Sequence, residues 1–434
     1  MAPGALPGLG HMLQLGRHPL DFLESLRHHG PVVRVRIGGW TMYTVTDPEL
    51  VRRILMEEAG QFGRGRIFER LRPLFGNGLV ISDGAFHRSQ RHIMQPAFHH
   101  DRITVYTQIM LNHAMAMVDS WHDGQTVWVD QEMRQHALSV VAETMFSSAV
   151  AGDAIAEVHR SLPVILEGMF LRAIAPRWLD RVPYSINRRF DTAALRLRNI
   201  IGQVIAAYQD SETTYDDLVS ALLSSENPDT GARMSADQVR DEAIAIMFAG
   251  TETTATTISW ALHEISQYPE AQERLHAEAT KAGADPTDLS CMTYTRAVVQ
   301  EALRLHSPLL FTRKALADVQ VGTHAIPAQS EIAYSPYALH RNPTQFSGPT
   351  TFQPDRWLTP GTPATGKRRF MPFGAGPHKC IGDVFAMTEA VITLAAITRR
   401  WRLTPLPGHT VRQQPAGMPQ PNALPMIATR RDVS

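Results

Sequence analysis

The run Phe373-Gly374-Ala375-Gly376-Pro377-His378-Lys379-Cys380-Ile381-Gly382 sets one cysteine in a loop with glycines on both sides. An amphipathic pattern follows it to Arg400, which predicts a helix starting just after Cys380. Gly376 and Gly382 would let backbone approach a flat ligand that side chains would hold off. Backbone N–H groups at a helix start favour a thiolate over a thiol. Taken alone, a cysteine among glycines also reads as a buried structural thiol.

The longest helical signal runs from Ser235 to Tyr268. Ser235-Ala236-Asp237-Gln238 has the form of a capping box, and Pro269 ends the pattern. Some 32 residues at 1.5 Å each would extend about 48 Å, enough to cross the whole molecule. Its middle, Ala249-Gly250-Thr251-Glu252-Thr253-Thr254, begins a stretch with threonine at five of the seven positions 251–257. That is poor helix material and predicts an interruption. The ordinary reading is a kinked core helix whose hydroxyls bond back to carbonyls. Glu301 and Arg304, at i,i+3, share a helix face and would ordinarily form a solvated ion pair. Phe352-Gln353-Pro354-Asp355-Arg356-Trp357 follows about fifty residues later, in a Pro/Gly/Thr-dense stretch from about 341 to 379.

The rest of the chain predicts a mostly α protein with small sheets built from both ends of the sequence. A Pro/Gly-rich segment covers residues 1–30, and a helix-rich body runs from about 84 to 305. The β-rich parts lie at about 31–46, 311–335 and 402–430. They include a hairpin turning at Gly38-Gly39 and another at Gly322-Thr323. Sheet residues so far apart argue for a single domain over 1–434. Lys+Arg and Asp+Glu both total 42, so no global charge points to nucleic acid or an anionic membrane. Two cysteines, Cys291 and Cys380, cannot make a disulfide framework, which reads as cytoplasmic. The first residues carry no apolar run long enough for a signal peptide or membrane anchor.

Together, FxxGxxxCxG before a helix, AGxETT within one, ExxR and the PDRW segment resemble the cytochrome P450 family, in order and spacing, over about residues 30–430. The resemblance implies a single triangular domain around a buried haem b (iron protoporphyrin IX), with O2 as co-substrate. It implies Cys380 as the metal ligand, with Phe373, Gly374, His378, Gly382, Ala249 and Gly250 around the cofactor. Glu252 and Thr253 would be the acid–alcohol pair that organises water and relays protons for O–O cleavage. Glu301, Arg304 and Arg356 would form a buried charge network that fixes the PDRW segment beside the cysteine loop. His87, Arg91 and Arg313, with His378, would neutralise the two haem propionates.

The same resemblance directs Ile244, Ala245, Phe248, Leu309, Leu310, Phe311, Ala423 and Leu424 to the substrate pocket. All are apolar, which favours a neutral molecule held by shape. The segments around GNGLVISDG, QPAF and EALRLHSP are similar to bacterial members that oxidise terpenes, so a terpenoid is the leading expectation. A fatty acid or polyketide held by Arg64, Arg66 or Arg72 is the alternative. A peroxygenase on the same fold, or a haem carrier, is the other functional reading. With no flavin- or cluster-binding portion in the sequence, electrons are expected from a ferredoxin or flavodoxin with its NAD(P)H reductase. That partner would dock on a basic face of Lys367, Arg368, Arg369, Lys379 and Arg88 of a monomer. Asp216-Asp217 reads as a helix start.

Overall fold

The computed structural model describes residues 1–146, 148–174, 185–211, 215–282, 289–358 and 369–431. The long helix is Ala236–Ser266, about 46 Å by its 31 residues. Ser235 caps it by accepting from the Gln238 N–H at 3.2 Å. The capping box is only half made, because the Gln238 amide instead donates to Glu242 at 2.7 Å and to the Asn77 carbonyl at 3.2 Å. Pro269 ends the pattern by opening the next helix, Pro269–Lys281.

The predicted interruption at 249–257 is absent: the helix is continuous there. Thr251, Thr253 and Thr257 donate to the carbonyls four residues back, at 2.6–2.8 Å. Burial of Ala255, Thr256, Thr257 and Ile258 outweighs a propensity cost of a few tenths of a kcal/mol per threonine. Around this helix pack Val129–Met145, Ser185–Asp210, Thr293–Leu305 and Asp383–Arg400. Their apolar faces share one buried cluster that includes Val141, Ile244, Met247, Val298, Val391 and Leu394.

The two larger sheets join distant parts of the chain. One orders Val32–Ile37, Trp40–Val45, Glu331–Tyr334, Phe311–Ala315 and Phe62–Arg64. The hairpin closes at Ile37 opposite Trp40, with Gly38 at φ +55. The second sheet sets Pro425–Arg430 between Gln125–Trp128 and Trp401–Pro405. The strands Phe62–Arg64 and Gln125–Trp128 were not expected, being three- and four-residue edge strands without clear alternation. Residues 2–11 bond along the outer strand, Ala2 N–H to Arg34 and His11 N–H to Arg36, and cover its free edge. Asp217 caps the helix Leu218–Ser224 by accepting from Ser220. No helix among the described residues is long and apolar enough to cross a membrane.

Candidate active site

Cys380 sits where the loop turns into Asp383–Arg400, and its N–H donates to the Phe373 carbonyl at 2.9 Å. Gly376 is required here, though for a different reason from the one expected. At φ +69, a Cβ on it would lie 1.8 Å from the Leu55 carbonyl, so its close approach is to the end of the helix Pro48–Leu55. Gly374 and Gly382 do border the cavity. The thiol lies deep in the protein yet is accessible from the cavity. Burial pushes its pKa up, while the Gly382 N–H, Arg91 and Lys379 pull it back down.

The cavity above Cys380 has a volume of about 310 Å³. Its far wall is one stripe of the long helix: Glu242, Ala245, Ile246, Ala249, Gly250, Thr253, Thr254 and Thr257. This three-and-four spacing is that of a single helix face. Thr254 Oγ1 is buried and has no hydrogen-bond partner among the described residues, so it is free for a ligand or water. Glu252 faces away from the cavity. It ion-pairs with Arg134 at 3.4 Å and accepts from the Gln420 amide. Thr253 and Glu252 are adjacent in sequence but lie about 100° apart around the helix.

The rim collects basic groups: Arg64, His87, Arg91, Arg313 and His378 all line the cavity. His378 bridges Asp83 at 3.2 Å and His87 at 3.1 Å. Burial pushes His87 down to about 3 and His378 to about 4, so both imidazoles are neutral at neutral pH. The charge therefore comes from the arginines. Arg64 was expected only as one of three arginines that could hold a fatty acid or polyketide. It is in fact half-buried at the cavity rim, donating to the Leu79 carbonyl at 3.1 Å. Burial and Arg313 push its pKa down to about 9, which leaves it charged. Its position beside Asp83, to which its backbone N–H donates, was not legible from motif spacing.

This donor set fits a haem. A thiol on the floor, a mostly apolar slot and three guanidiniums at one edge match a soft metal inside a flat apolar ring with two carboxylates. Among the described residues no cluster of three His, Cys, Asp or Glu offers a site for a bare ion instead.

Of the expected substrate residues, Ala245 and Phe311 reach the cavity. Ile244 is fully buried in the core, and Phe248 packs edge-on against Phe75 at 5.4 Å. The register was off by one position: the open face continues through 246 and 249. Leu309 and Leu310 belong to a separate cluster with Phe22 and Leu26, and the cavity is reached by Pro308 instead. Leu424 is buried, with its N–H on Asp130, and Ala423 does not border the cavity; Met418 supplies that wall. Phe68, which no motif marked, and Leu79 and Val80 of the GNGLVISDG segment complete the chamber.

Glu301 and Arg304 are fully buried and doubly bonded, at 3.0 and 2.8 Å. Arg304 also donates to the carbonyls of His340, Pro349 and Thr351. Glu301 accepts in addition from Arg356, the Gln353 N–H and the Trp357 indole. On the basic face, Arg88 and Lys379 are exposed and Arg369 is half-buried; Lys379 is paired with Asp383. Lys367 and Arg368 lie outside the described residues.

A protein-family model described as Cytochrome P450 matches residues 1–427. Cyclooctat-9-en-7-ol 5-monooxygenase of Streptomyces melanosporofaciens is 39% identical, over 99% of this chain and 95% of the relative. Cyclooctatin synthase of the same organism is 40% identical, over 96% and 92%. Pentalenene oxygenase of Streptomyces avermitilis is 36% identical, over 95% and 92%. The crystal structure of the cytochrome P450DA haem domain superposes with a TM-score of 0.88 at 23% identity, covering 99% of this chain and 97% of that one.

Proposed function

The chain belongs to the cytochrome P450 family, and on that footing we propose that it hydroxylates a terpenoid, with Cys380 as the thiolate that would hold the haem iron. It is a monooxygenase whose cofactor is haem and whose co-substrate is O2. The observation that carries the proposal is the cavity itself: one cysteine on its floor, guanidiniums along one edge, and a threonine face opposite. The haem, when bound, supplies electron transfer and O–O cleavage.

The chain's own groups do the rest. Arg64, Arg91 and Arg313 would hold the two propionates by charge-assisted bonds, while the neutral pair His87 and His378 flanks that edge with its ring N–H groups engaged on each other and on Asp83. The Gly382 N–H stabilises the Cys380 sulfur in its charged form. Thr253 presents its hydroxyl to the chamber, now donating to Ala249 at 2.6 Å. Glu252 lies outside the chamber, paired with half-exposed Arg134. It serves Thr253 by turning from Gln420 and Arg134 toward the cavity. The buried Glu301–Arg304–Arg356 network stiffens the segment leading to the cysteine loop.

Support for the substrate class comes from the lining of Phe68, Leu79, Val80, Ile246, Phe311 and Met418, and from relatives named for cyclooctat-9-en-7-ol and pentalenene. The test is an optical titration of the ferric holoenzyme with terpenoids, fatty acids and macrolides. A low-to-high-spin shift with terpenoids alone is expected. A shift only with fatty acids or macrolides would replace the substrate class.

P450 chemistry needs an electron-delivering partner and here an apolar substrate. We propose that a ferredoxin or flavodoxin docks on the face of Arg88, Lys379 and Arg369 of a monomeric, cytoplasmic, single-domain enzyme. Reduction should slow with rising salt, because exposed charge pairs are screened within about 10 Å at 0.1 M. A rate independent of salt and of Arg88→Glu would remove that face.

A further inference from the structure

Among the chamber residues remote from the arginine edge, Glu242 is the one acid. It is fully buried, in a wall otherwise made of Phe68, Leu79, Val80, Ala245 and Ile246. Its neighbour Asp241 takes the nearby cations, Arg198 at 2.9 Å and Arg240 at 3.7 Å. Glu242 has no cationic partner among the described residues. Its oxygens accept one shared N–H from Leu79, at 2.8 and 3.0 Å, and one amide N–H from Gln238, at 2.7 Å. Two carboxylate oxygens offer about four acceptor positions, so acceptor capacity is left over at the wall of the chamber.

We infer that Glu242 anchors a hydroxyl that the substrate already carries when it binds. This rests on the terpenoid reading and narrows it to a terpenoid alcohol. Glu242 lies eleven residues, about 16 Å along the helix axis, from Thr253. The anchored hydroxyl is therefore at the end of the molecule remote from the carbon that is oxidised. Burial pushes the Glu242 carboxyl up to about 7, so both protonation states occur near neutral pH. A hydroxyl suits both, donating to the carboxylate and accepting from the acid. An ether or hydrocarbon cannot donate at all. The reaction that supplies this substrate must be one that leaves an alcohol on a terpene skeleton: an earlier hydroxylation, or a cyclisation ended by water.

The probes are cyclooctat-9-en-7-ol and cedrol, each with its methyl ether and the hydrocarbon lacking the oxygen, titrated into the ferric holoenzyme by spin-state shift and calorimetry. A hydrogen bond to a charged acceptor predicts that the wild type binds the better-fitting alcohol about ten- to a hundredfold more tightly than its ether. Glu242→Leu should abolish that preference, and Glu242→Gln, which can still accept from Leu79, should keep part of it. If Glu242 only pinned the Leu79 loop, Glu242→Leu would weaken all three ligands alike. Equal binding of alcohol and ether by the wild type, which needs no variant to fold, overturns the inference while the terpenoid reading stands. So does a preference that survives in Glu242→Leu. If no terpenoid binds while a fatty acid or macrolide does, the terpenoid reading fails and takes the inference with it.

Discussion

Glu301→Gln is expected to yield a protein that accumulates poorly, retains little haem and unfolds at a much lower temperature. Glu301 is fully buried and accepts from Arg304, Arg356, Trp357 and the Gln353 backbone. Neutralising it leaves the Arg304 guanidinium, with 0% exposure, without its counter-charge. Breaking a buried pair by removing one partner costs about 3–5 kcal/mol, a large part of the roughly 5–15 kcal/mol that holds a domain together. Three further bonds, from Arg304 to the carbonyls of His340, Pro349 and Thr351, tie the helix Thr293–Leu305 to the segment leading toward Cys380. The loss should therefore reach the cofactor site. Arg356→Lys should cost much less, because Arg304 still neutralises Glu301. Haem content and thermal midpoint measured together check this. A Glu301→Gln protein with wild-type haem content and midpoint would contradict it.

For Thr253→Ala, haem binding and the substrate-induced spin shift should persist while product formed per NADPH consumed collapses. The hydroxyl faces the cavity and its bond to Ala249 is local to the helix, so the fold loses little. A positioned proton donor is worth about 10²–10⁴-fold. Thr254, one position on and with a free buried hydroxyl, is the group that could retain some coupling. Glu252→Gln should slow turnover less, since Glu252 must first leave Arg134 and Gln420. Unchanged coupling in Thr253→Ala would remove that hydroxyl from the relay.

Chemically demanding positions were legible in the sequence. A lone cysteine between glycines, a threonine-rich stretch in a long apolar helix, and Glu and Arg one turn apart each have an ordinary reading alone, and it is their joint order and spacing that marked them. Positions whose role depends on helix phase were not legible. Ile244, Ala245 and Phe248 all looked equally apolar, and only packing against Phe75 and the core decided that the open stripe runs through 245, 246 and 249. Glu252 is next to Thr253 in sequence, yet side chains at i and i+1 diverge on a helix. Arg64 and Glu242 carried no motif, because one gains its setting from strand pairing with Arg313 and the other from a loop 163 residues away. The histidines looked like charge suppliers because exposed His is half-charged near neutral pH; burial cancels that.

Cys380→Ser, read by the absorption spectrum of the reduced CO complex, tests whether Cys380 holds the iron. A thiolate ligand gives that complex its red-shifted band. The wild type should show the band and Cys380→Ser should lack it while still containing haem. Its turnover should fall by more than the roughly 10–100-fold that outer-shell partners of a metal contribute. If the red-shifted band persists in Cys380→Ser, another residue holds the iron and the assignment of the active site is wrong.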